Sequence, residues 1–177
     1  MERFISRGND FDQIEYQRLR NDKEWLSIVE FISRDYWHVT SWEAWQSIQD
    51  EQLINPNLDG RYKTRFGSIT EKSFGYANGW ISLFDFVTPT EEQVMQQWGN
   101  SWDIIVGRAP DQVLLQLERD ALSRYIVPSS KADGLYEFGR VPWVEVWYPS
   151  PIPAKFILNV YQIASCSGFK FHPKLIQ

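Results

Sequence analysis

The clearest periodic pattern in the chain is helical and lies between residues 22 and 33. Apolar side chains recur there at intervals of three and four positions, which places them on one face of an α-helix. These side chains are Trp25, Ile28, Val29 and Ile32. We predict an amphipathic helix that buries this face against the rest of the protein.

A short strand and a second helix are predicted next. Residues 36 to 39 are mostly aromatic or β-branched, which favours a strand. Thr40 and Glu43 stand three residues apart, the capping-box spacing for the first turn of a helix. We predict that this helix reaches about Gln52, because a Leu-Ile-Asn-Pro sequence follows and the residue before a proline disfavours helix.

Strand patterns dominate the rest of the chain. Thr90 and Gln93 repeat the capping-box spacing and predict a helix to about Trp98. Apolar runs predict strands at residues 80 to 86, 103 to 106, 112 to 117, 141 to 148 and 157 to 163. Helices clustered early and strands late favour an α+β fold over repeating βαβ units. The length favours a single domain over residues 1 to 177.

The segment between residues 57 and 78 has a different character. It contains three glycines and no sustained periodicity, so we predict an irregular segment. Long loops inside compact domains are uncommon and tend to be functional lids or binding loops. This segment is therefore the natural candidate for covering a ligand.

Composition narrows the class of protein. Hydrophobic residues make up 43% of the chain and aromatic residues 16%, with nine tryptophans, which excludes a largely disordered chain. The formal net charge of −5 disfavours a protein whose main task is to hold a nucleic-acid backbone. A local basic patch around Arg61, Lys63 and Arg65 stays open as an alternative.

Membrane and metal sites are not expected. No apolar run approaches the roughly 18 to 20 residues that cross a bilayer, and the first residues lack a signal-peptide core. We therefore expect a soluble, cytoplasmic protein. Cys166 is the only cysteine and the histidines are His38 and His172, which argues against an internal disulfide or a Cys/His zinc site. Any catalysis is then expected from carboxylates, hydroxyls and one imidazole, without metal.

Two titratable residues stand in unusual surroundings. His38 closes a strand just before a helix N-terminus, where an imidazole and free backbone N–H groups hold polar or anionic ligands easily. Its alternative is a core histidine bonded to backbone, and the adjoining Thr40 has the alternative of a simple helix cap. Glu145 interrupts a run of Val and Trp, where a carboxylate is paired, exposed or functional. The functional interpretation requires His38 and Glu145 to face each other.

Several other side chains have both a structural and a functional interpretation. Tyr76 and Phe84 could stack on a flat ligand ring or simply belong to the core. Arg61 and Arg65 could clamp phosphates or remain solvated loop charges. Ser82 could serve a site or fill a tight position in its strand.

Familiar catalytic motifs are absent from the sequence. There is no P-loop lysine motif, GxGxxG turn, GxSxG elbow or HExxH helix, which argues against P-loop ATP hydrolysis, Rossmann dehydrogenases and zinc proteases. The many aromatic residues could instead form a platform for sugars or single-stranded bases.

Three segments occur in a characteristic order. The Tyr-Trp-His-Val-Thr strand at residues 36 to 40 leads into a helix and a Leu-Ile-Asn-Pro ending at residues 53 to 56. A middle strand follows at residues 79 to 86, and Glu145 then precedes a proline-containing turn and a closing strand. Together they resemble the ADP-ribosyltransferase superfamily, in its bacterial DarT-like and RNA 2′-phosphotransferase-like branches. In those proteins a glycine is usual where Gln52 stands.

The resemblance implies a split, mostly antiparallel β-sheet with N-terminal helices that holds NAD, as a substrate, in a crevice. His38 would bind a ribose hydroxyl, and the adjoining backbone at Val39 and Thr40 would grip the nicotinamide amide. Glu145 would take the catalytic position. The other implied contacts to NAD come from Tyr76 or Phe84 at the nicotinamide ring, Ser82 on the middle strand, and Arg61 or Arg65 at the pyrophosphate.

Three hypotheses follow. The first is an NAD-dependent ADP-ribosyltransferase, with toxin and defence enzymes among the expected types, acting on a protein or nucleic-acid acceptor. One carboxylate suffices for that reaction, because it stabilises the positive charge that grows on the ribose in the transition state. The second is a non-catalytic module of the same fold that binds a nucleotide or a protein partner. The third is an aromatic-lined carbohydrate- or RNA-binding protein of unrelated fold.

Overall fold

A computed structural model describes residues 30–62, 72–97, 112–135, 139–163 and 173–177. Over these ranges the chain has a mixed fold of few short helices and a mostly antiparallel sheet of six strands, which confirms the predicted α+β class at this level. No helix within the described ranges is long and apolar enough to cross a membrane.

The strands fall into two sheets. The larger contains β1 (Tyr36–Ser41), β3 (Ile81–Asp85), β4 (Gln112–Leu117), β5 (Glu145–Tyr148), β7 (Ile157–Ile163) and β8 (Pro173–Leu175), in the order β5-β3-β1-β4-β7-β8. The smaller pairs β2 (Leu53–Ile54) with β6 (Ile152–Pro153). Each neighbouring pair of these strands is antiparallel. Four of the predicted strands are therefore confirmed in place, at residues 36 to 39, 80 to 86, 112 to 117 and 157 to 163.

Two predicted elements fall wholly or mostly outside the described residues. The strand expected at residues 103 to 106 is one, and most of the helix expected at residues 22 to 33 is the other. The end of that helix is described, since residues 30–32 are helical. Ile32, which the periodicity assigned to the buried face, is 1% exposed.

Helix α1 (Trp42–Glu51) begins one residue later than the capping box predicted. Ser41 is the N-cap, and its hydroxyl accepts a hydrogen bond from the Ala44 backbone N–H at 3.1 Å. Thr40 is still part of β1, where it pairs with Val113 of β4. The predicted Thr40 cap is therefore wrong, because the sheet continues to Ser41 before the chain turns.

Two more helices have N-cap side chains, of which the sequence analysis predicted one and missed the other. Helix α3 (Glu91–Gln96) has the predicted capping box, because Thr90 and Gln93 exchange side-chain and backbone hydrogen bonds at 2.9 and 3.2 Å. Helix α2 (Phe74–Asn78) lies inside the segment predicted to be irregular, and Ser73 caps it. The prediction of a loop to residue 78 is wrong there, because five residues are too few to show helical periodicity.

The main core lies on the face of the sheet that α1 covers. Trp45 and Ile48 of α1 are buried in it. The strands contribute a set of apolar side chains to the same cluster, including Tyr36, Leu83, Val113, Leu115, Val146 and Val160. On the opposite face Phe31 packs against Trp37, with ring centroids 5.0 Å apart. Both faces of the central strands are thus covered.

Strand β1 pairs unequally with its two neighbours. All six of its residues pair with β4. Only Tyr36 and Trp37 pair with β3, opposite Asp85 and Phe84 respectively. The two central strands therefore part beyond Trp37, and the open end of their ladder begins at His38.

A partly buried ion pair holds the closed end of this ladder. Arg119, the first residue of α4 (Arg119–Leu122), donates to both Asp85 oxygens at 2.9 and 3.1 Å. Its guanidinium also lies 4.5 Å from the centre of the Tyr36 ring. Burial opposes ionisation of Asp85, but hydrogen bonds from Arg119 and Thr88 outweigh it and hold the pKa of Asp85 below its usual value. This ion pair thus stabilises the paired end of the β1–β3 ladder.

Helix α1 ends at Gln52, which has a left-handed backbone with φ of +55°. This conformation crowds the Cβ of any residue except glycine and costs about 1 kcal/mol. Glycine would adopt this conformation without strain.

We expect Gln52→Gly to raise the free energy of unfolding by about 0.5 kcal/mol, because relief of the left-handed strain exceeds the added freedom of the unfolded chain. Gln49→Gly is the matched control, since Gln49 lies inside α1 and glycine there should cost about 1 kcal/mol. Urea unfolding of both variants measures the difference. Equal destabilisation by the two substitutions would contradict the explanation.

Candidate active site

Glu145 is the first residue of β5, and its side chain is buried, with 6% of its surface exposed. One carboxylate oxygen accepts a hydrogen bond from the Ser82 hydroxyl. The other accepts from the Val141 backbone N–H at 2.8 Å. Burial raises the pKa of Glu145, and these two hydrogen bonds only partly offset that effect. The carboxyl is therefore held in a fixed position and binds its proton more tightly than a solvated glutamate.

His38 reaches the same serine from the other side. Its Nδ1 lies 2.9 Å from the Ser82 carbonyl oxygen. Because a carbonyl only accepts hydrogen bonds, Nδ1 carries the proton of the neutral ring and Nε2 is left as an acceptor. Burial lowers the pKa of His38, against the opposing effect of the bond to Ser82. The half-buried imidazole is thus neutral and has a lone pair available for a donor such as a hydroxyl group.

Ser82 links the two titratable residues because of where β3 runs. Strand β3 lies between β1, which carries His38, and β5, which carries Glu145. At the open end of the β1–β3 ladder, the Ser82 carbonyl accepts from His38 in place of a strand partner, while its hydroxyl bonds to Glu145. The structure therefore brings His38, Ser82 and Glu145 together.

A tight turn precedes Glu145, where the sequence predicted a continuous strand from residue 141 to 148. The Val144 N–H donates to the Pro142 carbonyl at 2.7 Å, and Trp143 between them has φ of +60°. The Glu145 N–H donates to the Val141 carbonyl at 2.9 Å. The strand prediction is wrong over residues 141 to 144, because the chain reverses direction there. Val141 bonds to both the backbone N–H and the carboxylate of Glu145.

The remaining residues that we predicted for the site lie in different surroundings. Val39 and Thr40 are half-buried in β1 and pair with β4. Phe84 is 5% exposed and stacks against Phe86, with ring centroids 6.4 Å apart. Tyr76 is half-buried in α2. Phe84 is therefore part of the packed interior, and Tyr76 has the more accessible ring.

Arg61, one of the two arginines predicted for the pyrophosphate, forms its ion pairs with residues outside the His38–Ser82–Glu145 group. Arg61 is exposed and donates to Glu51 at 2.8 Å, with Asp59 also 3.4 Å from its guanidinium. Arg65 lies outside the described residues. The ion pair with Glu51 attaches Arg61 to the last turn of α1.

Two residues beside the site were not predicted as functional. Trp147 is fully buried in β5, opposite Ser82 in the register of β3 and β5. A Cβ built on Gly75 would lie 2.7 Å from the Trp147 ring and 3.2 Å from the Ser82 hydroxyl oxygen. The signal for Trp147 was its position two residues after Glu145, on the same face of a strand. Nothing in the sequence pattern singled out Gly75.

Comparison of the chain with family models, curated proteins and solved structures finds no match. Among the described residues, no group of three or more His, Cys, Asp or Glu side chains is arranged to hold a metal ion. The chemistry that the described group offers is that of a neutral imidazole, a hydroxyl and a buried carboxyl. A buried carboxylate close to a substrate interacts strongly with positive charge, because little water screens it.

We expect Glu145→Gln to gain stability relative to the native protein as pH rises. A raised pKa means that the folded protein binds the proton more tightly than the unfolded chain. The stabilisation from protonated Glu145 is therefore complete below the unfolded pKa, near 4.5, and is lost as pH rises through the folded pKa. Glutamine has no such proton. Urea unfolding across this pH range measures the difference in free energy of unfolding.

Asp85→Asn is the control of opposite sign for that experiment. The pKa of Asp85 is lowered, so its stabilisation is present above the unfolded pKa and is lost as pH falls. The stability of Asp85→Asn relative to the native protein should therefore decrease as pH rises. A pH-independent difference for Glu145→Gln would contradict the burial argument.

Proposed function

We propose that the protein is an NAD-dependent ADP-ribosyltransferase of the toxin or defence type, which modifies a protein or nucleic-acid acceptor. The observation that carries the proposal is the contact of Ser82 with both His38 and Glu145. These two residues are more than a hundred positions apart in sequence, and the resemblance had assigned both to one NAD site. A cytoplasmic setting is part of the same proposal, because NAD and both classes of acceptor occur there.

The parting of β1 and β3 supports the fold that belongs to this proposal, a split sheet with a crevice. The β1–β3 ladder ends after two pairs, and His38 is the first residue beyond it. Ligands that enter such an opening would meet the His38 ring and the Ser82 side of β3. The half-buried Tyr76 is the aromatic residue that we favour for the nicotinamide ring, because Phe84 is packed in the interior.

Each residue of the group would have a distinct role. His38 would accept a hydrogen bond from a ribose hydroxyl through Nε2, because Nδ1 is engaged with Ser82. NAD supplies the ADP-ribosyl group, and nicotinamide is the leaving group, which departs with the electrons of its bond to the ribose. Glu145, when ionised, would stabilise the positive charge that develops on the ribose. It would then accept the proton that the acceptor loses as the new bond forms.

The raised pKa of Glu145 suits this last step. A carboxylate that binds protons tightly is a stronger base than a solvated glutamate, and a weakly screened negative charge stabilises a nearby cation more. Ser82 and Val141 would keep the carboxylate in position throughout. The required reaction steps thus need one buried acid and one neutral imidazole.

A second candidate function is a module that binds a nucleotide without turning it over. It is favoured by one observation, the 6% exposure of Glu145, since both of its oxygens are already engaged with Ser82 and Val141. Calorimetric binding of NAD without release of nicotinamide would support this function. Steady release of nicotinamide would eliminate it.

The third hypothesis, a platform of exposed tryptophans, has limited support. Trp42 and Trp143 are exposed, at 38% and 40%. Trp37, Trp45 and Trp147 are buried in the core instead. Quenching of tryptophan fluorescence by an oligosaccharide or oligonucleotide, with no response to NAD, would favour this hypothesis.

We expect purified protein incubated with NAD labelled in the adenylate and with cell lysate to transfer label to protein, DNA or RNA. Glu145→Gln should lower kcat for nicotinamide release at least about 100-fold, because a charge-stabilising group of this kind contributes 10²–10³ to the rate. Glu92→Gln is the matched control, since Glu92 is exposed in α3 and should leave the rate unchanged. Unchanged NAD turnover in Glu145→Gln would refute the catalytic assignment.

His38→Ala should act mainly on NAD binding. Loss of one hydrogen bond to a ribose hydroxyl corresponds to about 1–1.5 kcal/mol, or roughly a tenfold rise in KM for NAD. A native circular dichroism spectrum would show that β1 still forms. A large fall in kcat with an unchanged KM would instead assign His38 to the chemical step.

A further inference from the structure

The indole N–H of Trp147 is a buried donor without a hydrogen-bond partner. The residue itself is firmly placed, because its backbone N–H and carbonyl both bond to Val127 at 3.0 and 2.8 Å. Its ring packs against Phe74, with centroids 4.7 Å apart. An unpaired buried donor costs about 1–3 kcal/mol, so its retention calls for an explanation.

The surroundings of this N–H lead to Ser82 and Glu145. The Cβ position of Gly75 is 2.9 Å from the indole nitrogen and 3.2 Å from the Ser82 hydroxyl oxygen, so the two polar atoms flank the same small space. That hydroxyl is bonded to Glu145. The Trp147 indole also favours the ionised form of Glu145 and so acts to lower its pKa, against the larger effect of burial.

We propose that Trp147 is a positioning residue whose indole N–H donates to the Glu145 carboxylate when that group is ionised; the inference rests on the proposed function of Glu145. When Glu145 is protonated, its O–H can donate to the Ser82 hydroxyl oxygen while its other oxygen accepts from the Val141 N–H, so the neutral carboxyl is satisfied. The ionised carboxylate has about four acceptor sites and is buried away from solvent, so it gains most from one more donor. The Trp147 N–H supplies this donor, and Gly75 leaves the ring room to approach.

Other charged groups near Glu145 are accounted for. Arg140 favours ionisation of Glu145 through its charge, which is partly neutralised by an ion pair with Asp133 at 2.8 Å. His38 lies on the far side of Ser82 and is neutral at moderate pH. Of these groups, only Trp147 would change from an unpaired to a paired hydrogen-bond donor when Glu145 ionises. This change can be followed through the signal of its indole proton.

The direct test is an NMR titration of the native protein. The Trp147 indole proton signal, assigned through its proximity to Gly75, should move downfield with the same midpoint as the Glu145 carboxyl carbon. The same signal should be independent of pH in Glu145→Gln over that range. A Trp147 signal that does not move while Glu145 titrates would overturn the proposal.

A kinetic test separates this role from simple packing. Trp147→Phe keeps an aromatic ring but removes the N–H, so we expect the pKa of Glu145 and the acid limb of the kcat profile to move to higher pH. We expect kcat to fall about tenfold with little change in KM. Trp45→Phe is the matched control in the core on the other face, and it should lower stability without moving the acid limb. Equal pH profiles for both variants would contradict the inference.

The two proposals can fail separately. If the protein releases no nicotinamide while the Trp147 and Glu145 signals titrate together, the transferase function is wrong but the donor role of Trp147 stands. If nicotinamide is released and the Trp147 signal is unaffected by Glu145, the function stands and the donor role is wrong. A Trp147→Phe variant that does not fold leaves the titration of the native protein as the deciding result.

Discussion

The two bonds of Ser82 are the interaction on which the candidate site depends. Its carbonyl accepts from His38 and its hydroxyl donates to Glu145, so one residue of β3 fixes both neighbours. Without it, nothing else described here joins the imidazole of β1 to the carboxyl of β5. The protonation states follow from the same contacts, because the carbonyl requires a proton on Nδ1 of His38. The serine thus leaves Nε2 of His38 as the ring nitrogen with a lone pair and holds one oxygen of the Glu145 carboxyl.

That bridge requires two strands that stay together at one end and separate at the other. The ion pair of Arg119 with Asp85 fastens the closed end, next to Tyr36. Past Trp37 the ladder stops, and the backbone carbonyl of Ser82 becomes available to a side chain. A sheet paired along its whole length would have used that carbonyl in the ladder. The ion pair at one end and the candidate site at the other are therefore parts of one arrangement.

Sequence reasoning predicted the parts of the fold that rest on local patterns. Apolar runs located β4 and β7, and the structure confirms both hydrogen bonds of the predicted Thr90–Gln93 capping box. The cap of α1 was misplaced from Ser41 to Thr40, because both residues have capping hydroxyls and only the length of β1 decides between them. The turn over residues 141 to 144 was missed, because its hydrogen bonds are made to Glu145 rather than within a repeating pattern.

The candidate site was predictable only in part. His38 and Glu145 were recognisable in the sequence as polar residues among large apolar ones. From this pattern we predicted that the two residues lie close together in space. The role of Ser82 as the link was not predicted, because the contact of one carbonyl depends on where the ladder ends. Gly75 gave no signal, since the need for a missing side chain arises only when Trp147 is packed against it.

The pairing of Val127 with Trp147 has a consequence for the self-association of this protein. Strand β5 stands at the margin of the sheet, and marginal strands can recruit strands from other molecules and so begin aggregation. Val127 satisfies both backbone groups of Trp147 that would otherwise face outward. The strand that bears Glu145 is thereby protected at this position against pairing with a strand from another molecule.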